Sequence, residues 1–329
     1  REEINPSRMD NFSAIERSLC RLAVTRGGGG CIIFVGVCMK KYPYLCGKTV
    51  LVTGATDGIG KELSRMFAHT GATLILHGRN PERLATTLKE ITEESGNSAI
   101  QTVRADFASL SQVKAMADEI KQKVQHLDIL VNNAGLYPKC KVITEDGFEQ
   151  TLQVNYISPV TLTLSLIPLL GGECPSKIVN LTSIGHRFVW SNIRDPQDRF
   201  FWGWVSYCRS KLLMIPFTRE LANRLAETKV TVNCIHPGII RTKLIRVLPV
   251  SWGVSVHHGA STVFNLATNP EFDGVTGKYF EEFKIARPSP VASSQRLQES
   301  LWRMSLRWAG FTIPKATITP ERLANQSDQ

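Results

Sequence analysis

A tyrosine and a lysine four residues apart, Tyr207 and Lys211, are the pair in this chain best suited to move a proton. On a helix this spacing places both side chains on one face. A free phenol has a pKa of about 10, too high for acid–base work near neutrality, and a neighbouring ammonium favours the phenolate. The same spacing occurs on many amphipathic helices, so its meaning depends on the elements around it.

Ser183 supplies a hydroxyl just beyond the apolar run at residues 178–181. Strand ends on this side of an open α/β sheet face the ligand crevice. A hydroxyl there can donate to a substrate carbonyl and stabilise a developing alkoxide. The alternative is an ordinary strand-terminal serine, and the other motifs of the chain weigh against it.

A glycine-rich turn formed by Gly54, Gly58 and Gly60 follows the apolar run Thr49–Val52 and leads into a stretch with helical spacing. Such a turn binds a dinucleotide pyrophosphate, because backbone N–H groups and the positive end of the helix dipole both point at the anion. The spacing is Gly-x-x-x-Gly-x-Gly rather than the commoner Gly-x-Gly-x-x-Gly, and glycine-rich turns also occur for purely local reasons. The turn therefore favours a nucleotide site only together with the motifs around it.

The residue that reads the adenosine ribose is expected about 20 residues beyond such a turn. There the second apolar run, residues 72–76, leads to Arg79 instead of an Asp or Glu that would accept from the ribose 2′-OH. A guanidinium suits a 2′-phosphate, so we expect NADP(H) to be preferred over NAD(H). Asp57 weakens this expectation, because it places a negative charge inside the glycine turn. The alternative for Arg79 is an ordinary surface arginine at the end of a strand.

The elements that must position these residues alternate between strand and helix from residue 48 to about residue 266. This alternation predicts a single Rossmann-type, doubly wound parallel sheet with helices on both faces. Strands are expected at apolar runs and helices at amphipathic stretches. The runs are residues 50–52, 73–76, 100–103, 129–131, 178–181 and 230–234, and the helices 61–69, 81–92, 111–124, 148–170 and 207–225.

The composition is that of a globular protein with a large core, with 43% hydrophobic and 21% charged residues among 329. The formal net charge is +10, but Lys and Arg are spread along the chain without a basic stripe interleaved with stacking aromatics. We therefore expect no nucleic acid partner. A basic surface favours an anionic cofactor or an anionic membrane instead.

The eight cysteines include no Cys-x-x-Cys pair and match no zinc spacing, so we expect reduced thiols, an intracellular reducing compartment and no metal. The strongest apolar run near the N-terminus, residues 31–39, is shorter than the roughly 20 residues needed to span a bilayer. Basic residues flank it, which fits a signal-anchor or interfacial segment on the cytoplasmic face of the endoplasmic reticulum or another organelle. A free tail on a soluble cytoplasmic protein is the alternative.

Together these motifs resemble the short-chain dehydrogenase/reductase family, in the order that family has them, over roughly residues 47–310. The resemblance implies that Tyr207 is the general acid/base and that Lys211 binds the nicotinamide ribose and lowers the tyrosine pKa. It also implies that Ser183 holds the substrate oxygen and that Asn155 positions a water in a proton relay.

The same resemblance implies a set of cofactor contacts. Asp106 corresponds to a residue that contacts adenine, Asn133 belongs to an Asn-Asn-Ala-Gly segment beside the cofactor, and Thr242 would contact the nicotinamide carboxamide region. The full expected set is Gly54, Thr56, Asp57, Gly58, Ile59, Gly60, Arg79, Asn80, Asp106, Phe107, Asn133, Ala134, Gly135, Tyr207, Lys211, Pro237, Gly238, Ile240 and Thr242.

A finer resemblance is to the retinol dehydrogenase and WW-domain oxidoreductase-like branch, and it implies a lipophilic carbonyl or alcohol substrate. It is carried by the residues around Tyr207, by His236-Pro237-Gly238 and by Gly277-Lys278-Tyr279-Phe280. The loop between Ser183 and Tyr207 carries aromatic residues that suit an apolar substrate or pack the loop onto the body. They are Phe188, Trp190, Phe200, Phe201, Trp202 and Trp204.

Residues 243–258 stand where the family keeps a mobile substrate lid, and a membrane-facing patch is the alternative for them. We expect residues 46–312 to form the NADP-binding domain, residues 1–45 a tail or anchoring segment, and residues 313–329 a polar tail. The expected function is NADP(H)-dependent interconversion of a lipophilic alcohol and its aldehyde or ketone. The rival functions are a catalytically idle NADP-binding regulatory protein and a sugar-nucleotide epimerase, which shares the Tyr/Lys pair.

Overall fold

The structure, a computed structural model, describes residues 45–137, 140–189, 203–240 and 253–311. Within these ranges the chain forms one eight-stranded sheet in the order β3-β2-β1-β4-β5-β6-β7-β8. The strands are β1 (Thr49–Val52), β2 (Thr73–Gly78), β3 (Ile100–Arg104), β4 (Ile129–Asn132), β5 (Ser176–Leu181), β6 (Val230–His236), β7 (Tyr279–Glu281) and β8 (Lys284–Ala286).

Seven helical segments connect or cover the strands within the described ranges. Each of α1, α2 and α3 follows one strand and returns the chain to the next parallel strand, as a doubly wound sheet requires. The segments are α1 (Gly58–Ala68), α2 (Pro81–Ser95), α3 (Leu110–Lys123), α4 (Gln150–Leu169), α5 (Gly203–Arg224), α6 (Val256–Thr268) and α7 (Gln295–Ala309). Short 3₁₀ turns occur at Ile184–Phe188 and Pro270–Phe272.

The predicted doubly wound sheet is confirmed. Strands β1 to β7 pair in parallel, and β1 lies between β2 and β4, with Val50 opposite both Leu74 and Ile129. The strand order thus reverses direction between β1 and β4, and in open α/β sheets ligands bind at the carboxyl edge beside such a reversal. The apolar runs of the central strands are almost fully buried because helices cover both faces.

The edge of the sheet formed by β7 and β8 differs from the prediction, which was a parallel sheet throughout. Strands β7 and β8 have three residues each and pair antiparallel as a hairpin. Glu282 at its turn is the non-glycine residue with positive φ among those described, at 54°. Runs this short carry too little periodicity to be recognised in the sequence, which is why the hairpin was not predicted.

Helix α4 contains a π-helical turn at Gln153–Ile157, between an α-helical first turn and Ser158–Leu166. It is the segment among the described residues that is long and apolar enough to cross a membrane, but 89% of its apolar window is buried inside the protein. That burial is typical of a core helix. Residues 31–39, which carried the membrane expectation, lie outside the described residues.

Candidate active site

A cleft of about 810 Å³ runs along the carboxyl edge of the sheet, walled by the segments that follow β1 to β6. It crosses the point where the strand order reverses, as expected for this architecture. The cleft brings together most of the residues singled out in the sequence. Those in its wall are Gly54, Thr56, Asp57, Gly58, Ile59, Arg79, Asp106, Phe107, Asn133, Ala134, Gly135, Ser183, Tyr207, Lys211, Pro237, Gly238 and Ile240.

The glycine turn is held against the end of β4. The Asn133 side-chain amide donates to the carbonyls of Thr53 (2.7 Å) and Gly54 (3.2 Å), and its backbone N–H donates to the Thr53 hydroxyl at 2.9 Å. Gly54 has φ of +67°, and a Cβ on Gly60 would lie 2.2 Å from the Gly54 carbonyl oxygen. Gly60 therefore allows α1 to approach the turn and does not itself line the cleft.

His77, at the end of β2, supports the same turn from the other side. Its Nδ1 accepts from Gly54 N–H at 3.2 Å, which leaves the proton on Nε2 to be donated to the Ala105 carbonyl at 3.0 Å. Burial lowers the pKa of His77 to about 4, so the ring is neutral at physiological pH. Sequence reasoning assigned no role to His77, although its place between the second apolar run and Arg79 was visible.

The negative charge of Asp57 is paired in the folded chain. Its carboxylate caps the N-terminus of α1 by accepting from Gly58 N–H at 2.9 Å, and it forms a 2.8 Å ion pair with Arg83. Both members of the pair are about half exposed. Arg79 lines the cleft close by, so two guanidinium groups and one ion-paired carboxylate lie near the glycine turn.

Asn80 and Asp106 have side-chain roles that the sequence did not reveal. Asn80 caps α2 by accepting from Arg83 N–H at 2.7 Å and is not part of the cleft wall, and its expected contact with the cofactor stays a prediction. Asp106 lines the cleft, and its Oδ1 accepts from Ala108 N–H at 2.9 Å. Caps of this kind organise the loops that border the cleft.

Tyr207 and Lys211 both lie on α5 at the wall of the cleft, where Lys211 is buried and Tyr207 is partly buried. The Lys211 ammonium donates to the Leu181 carbonyl at 3.0 Å, and burial lowers its pKa to about 8. Burial raises the pKa of Tyr207 to about 12, against the opposing effect of a hydrogen bond with the Ser183 side chain. Lys211 is not among the causes of this shift, so the expected lowering of the Tyr207 pKa by Lys211 does not appear in the chain alone.

Ser183 follows β5 and begins the 3₁₀ turn Ile184–Phe188. Its Oγ accepts from Gly185 N–H at 3.1 Å, and its hydroxyl can donate to the Tyr207 oxygen or to another oxygen in the cleft. A Cβ on Gly185 would lie 2.9 Å from Cys208 Sγ, so this turn packs tightly on α5. Ser183 and Tyr207 therefore present adjacent hydroxyl groups to the same space.

Asn155 lies in the π-helical turn of α4 behind the wall of the cleft, with 1% exposure. Its Oδ1 accepts from Leu136 N–H at 2.7 Å, and its amide donates to the Leu136 carbonyl and to Ser210 Oγ. Ser210 in turn donates to the Tyr207 carbonyl at 2.7 Å. The Asn155 side chain thus links α4, the loop after β4 and α5, and the role in positioning a water that the resemblance implied stays a prediction.

Aromatic rings border the cleft beside Tyr207. The ring of Tyr137 lies 5.5 Å from that of Tyr207, and Trp204 stacks near it at 6.3 Å with Phe188 beyond. Phe188 is 58% exposed at the mouth. Of the other expected elements, Trp190, residues 200–202, Thr242 and the lid residues 243–252 lie outside the described residues.

His236 is a further cleft residue to which the sequence assigned no role. It ends β6, and burial lowers its pKa to about 4. Its buried Nδ1 has no hydrogen-bond partner among the described residues. Gly238, two residues on, has φ of +94° and lines the cleft with it. An orphaned polar atom of this kind, together with the glycine turn, fits a polar ligand such as a dinucleotide.

No group of three or more metal-ligating side chains occurs within the residues that the structure describes. The five cysteines in those ranges are free thiols, and Cys208 and Cys234 are buried with their pKa raised to about 12. Burial makes these two thiols inert.

Comparison with known proteins agrees with this geometry. The family model for short chain dehydrogenases matches residues 48–249. Retinol dehydrogenase 13 of Homo sapiens is 35% identical over 302 residues, covering 87% of this chain and 91% of that protein. Retinol dehydrogenase 14 of Homo sapiens is 36% identical over 286 residues, covering 79% and 85%.

Solved structures show the same likeness. An uncharacterized protein from Mycobacterium paratuberculosis superposes with a TM-score of 0.70 at 25% identity, covering 83% of this chain and 97% of that one. A short chain dehydrogenase from Escherichia coli CFT073, solved in complex with NADPH, gives 0.61 at 27% identity, covering 73% and 98%. The chain belongs to the short-chain dehydrogenase/reductase family, and within it is similar to the retinol dehydrogenases.

Proposed function

We propose that this oxidoreductase interconverts a lipophilic alcohol and its aldehyde or ketone with NADP(H). The observation that carries the proposal is the placement of Ser183 and Tyr207 side by side in one cleft with the glycine turn. The site suits hydride transfer without a metal, since hydroxyl groups polarise the carbonyl and a nicotinamide supplies or accepts the hydride when bound.

Residues of the chain itself perform the proton transfer and polarise the carbonyl. For reduction, Tyr207 donates its proton to the carbonyl oxygen while Ser183 donates a hydrogen bond to the same oxygen. At neutral pH Tyr207 carries the proton it has to donate. Burial raises its pKa to about 12 and makes it a weaker acid, so stabilisation of the phenolate by a neighbouring positive charge is needed. Lys211, fixed on the Leu181 carbonyl beside Gly135, is placed to bind a ribose hydroxyl and to stabilise the phenolate that proton donation leaves.

The preference for NADP(H) rests on the charges around the phosphate turn. Arg79 offers a fork-shaped donor to a 2′-phosphate, and no carboxylate occupies its position to bind a ribose 2′-OH. The Arg83–Asp57 pair reduces the repulsion that Asp57 would exert on the same phosphate. A solved relative that binds NADPH supports this choice.

The substrate class rests on the rings beside Tyr207 and on the relatives. Tyr137, Trp204 and Phe188 form an apolar approach to the two hydroxyl groups. Rings in such a position bury apolar substrate surface and exclude water. The two relatives described above are matched over most of their length and are named retinol dehydrogenases, which points to the same class of substrate.

A screen of retinoid, steroid and aliphatic aldehydes with NADPH and with NADH tests the proposal. We expect at least one lipophilic aldehyde to be reduced, with NADPH as the better donor. Tight NADPH binding without turnover on any member of the screen would instead support the idle, regulatory alternative. Turnover of nucleotide sugars alone would support an epimerase.

We also propose, from the sequence alone, that residues 46–312 are the working domain and that the segment before it attaches the protein to a membrane. Residues 31–39 are apolar and are flanked by basic residues that attract anionic head groups. Deleting everything before Cys46 should leave an active enzyme in the soluble fraction, while the full chain sediments with membranes. If both forms stay in the soluble fraction, the anchor proposal is wrong.

A further inference from the structure

His186 is a buried residue in the 3₁₀ turn Ile184–Phe188 that has no part in the chemistry proposed above. It is fully buried, three residues beyond Ser183. Its Nδ1 lies 2.8 Å from the Ser183 carbonyl oxygen, and its Nε2 lies 3.1 Å from the backbone nitrogen of Ser289. The imidazole thus bridges the segment that carries Ser183 and a segment 103 residues away along the chain.

The two contacts select one protonation state of the ring. A backbone N–H can only donate, so Nε2 accepts from Ser289 and carries no proton. A carbonyl can only accept, so Nδ1 carries the proton and donates it to Ser183. The neutral Nδ1–H tautomer satisfies both bonds, whereas the other tautomer breaks both and the imidazolium breaks the bond from Ser289.

The Ser289 end of the bridge is rigid. Ser289 lies between Pro288 and Pro290. Both prolines lack an N–H and have a fixed φ, so the Ser289 amide supplies the backbone N–H of these three residues. Its carbonyl accepts from Ser293 N–H at 3.0 Å at the entrance to α7. The imidazole is therefore anchored on a segment with little freedom to move.

The surroundings of the ring also restrict it. The ring of Tyr279, on β7, packs edge-on at 5.0 Å. Burial lowers the pKa of His186, and the positive charge of Arg187 lowers it further, while Glu281 acts in the opposite direction. The neutral ring is thus the form that the fold accommodates.

We propose that His186 is a positioning residue, which ties the Ser183 carbonyl to the Ser289 amide and so sets the direction of the Ser183 hydroxyl. With the carbonyl held by His186 and Oγ held by Gly185 N–H, the backbone and the side chain of Ser183 are both fixed. The inference rests on the proposed function, in which Ser183 contacts the substrate oxygen.

Two matched variants of the full chain separate positioning from general stability. In His186→Asn the side-chain amide takes the place of Nδ1 and can still donate to Ser183. In His186→Gln the longer side chain reaches the place of Nε2 and can bond Ser289. The Ser183 carbonyl then loses the ring donor and keeps only the bond from the backbone N–H of residue 186, which is 3.1 Å long in the wild type. Each variant removes the ring and keeps one of the two bonds.

We expect His186→Gln to lose about a hundredfold in kcat, the usual cost of displacing a reacting group by about 1 Å, while His186→Asn retains most of it. The Kd for NADPH and the thermal midpoints of the two variants should be similar, because both lose the same ring from the core. Equal kcat losses in the two variants, or losses that follow the thermal midpoint, would overturn the positioning role.

Ser183→Ala and histidine ¹⁵N NMR complete the test. If Ser183→Ala has wild-type kcat on a confirmed substrate, the proposed function fails, and the role of His186 fails with it. If Ser183→Ala is impaired and the Asn and Gln variants behave alike, the His186 inference alone fails. The NMR spectrum of the wild-type chain should show His186 neutral and protonated on Nδ1, and an Nε2-protonated ring would contradict the bridge.

Discussion

The side chains at the two ends of the cleft are held by different kinds of interaction. At the catalytic end, Lys211 is buried and Ser183 and Tyr207 are partly buried. Burial shifts the pKa of Tyr207 to about 12 and that of Lys211 to about 8. At the adenosine end, Arg83 and Asp57 are about half exposed and carry full charges in an ion pair.

The difference indicates which end of the cleft governs turnover and which end governs cofactor affinity. Buried hydrogen bonds hold reacting groups in place and are costly to break, so changes at the catalytic end should remove turnover. Exposed charges are screened and mobile, so changes at the adenosine end should alter cofactor affinity moderately and depend on salt. The predictions below test this division, from the largest expected effect to the smallest.

Ser183→Ala should lower kcat by about 10²–10³, an effect exceeded only by the change at Tyr207 described last, because it removes a donor aimed at the oxygen that gains charge. Steady-state kinetics on a confirmed aldehyde would measure this, with the NADPH Kd as the control for folding. A fall in NADPH affinity of similar size would mean that the two ends are not separable.

His77 should make the stability of the protein depend on pH. Its pKa is about 4 in the fold and 6.5 in the unfolded chain, so the unfolded state binds more protons between these values. The free energy of unfolding should therefore fall as pH falls from 6.5 towards 4, by up to about 1.4 kcal/mol per pH unit for each such group.

Urea unfolding of wild type and His77→Asn across this range checks the prediction. Asparagine keeps an acceptor for Gly54 N–H but does not titrate, so the slope should decrease. His236, whose pKa is also about 4, should contribute to the slope that remains in the variant. An unchanged slope in the variant would show that His77 is not buried as a neutral ring.

Arg79→Ala should weaken NADPH by about ten- to hundredfold, the loss of one charge-assisted phosphate contact, and leave NADH nearly unchanged. Calorimetric titration with both cofactors measures the difference. Equal weakening of the two, or a wild-type preference for NADH, would remove Arg79 from the phosphate site.

Arg83→Ala should have the smallest effect, a loss of up to about fivefold in NADPH affinity that shrinks at high salt. Its cause would be the exposed charge of Asp57, so adding Asp57→Asn should restore affinity, while asparagine still caps Gly58 N–H. Failure of the double variant to recover would mean that Arg83 contacts the phosphate directly.

The sequence predicted the central sheet and the positions of the cleft residues because these depend on local signals. The apolar runs, the glycine turn and the Tyr207–Lys211 spacing each act within a few residues, and the strand ends then meet at one edge. Hence residues far apart in sequence, such as Gly54, Ser183 and Tyr207, could be assigned to one site.

The rest depends on contacts between distant segments, which no local pattern reports. The pKa of Tyr207 was expected to be lowered by Lys211, yet burial by the whole fold raises it. The cap that Asn80 forms on α2 is an exception, because it joins residues only three apart and an Asn before a Pro is a local signal of a helix start. The role of His77 needs Ala105, 28 residues away, to be on the same side of the ring.

The most direct test of the division between the two ends is NADPH oxidation by the full chain with a confirmed lipophilic aldehyde, compared with Tyr207→Phe. Loss of the phenolic proton donor should lower the rate by about 10²–10⁴ while the NADPH Kd stays near the wild-type value. A variant that turns over at the wild-type rate, or that has lost NADPH binding as well, would contradict the assignment of proton transfer to Tyr207.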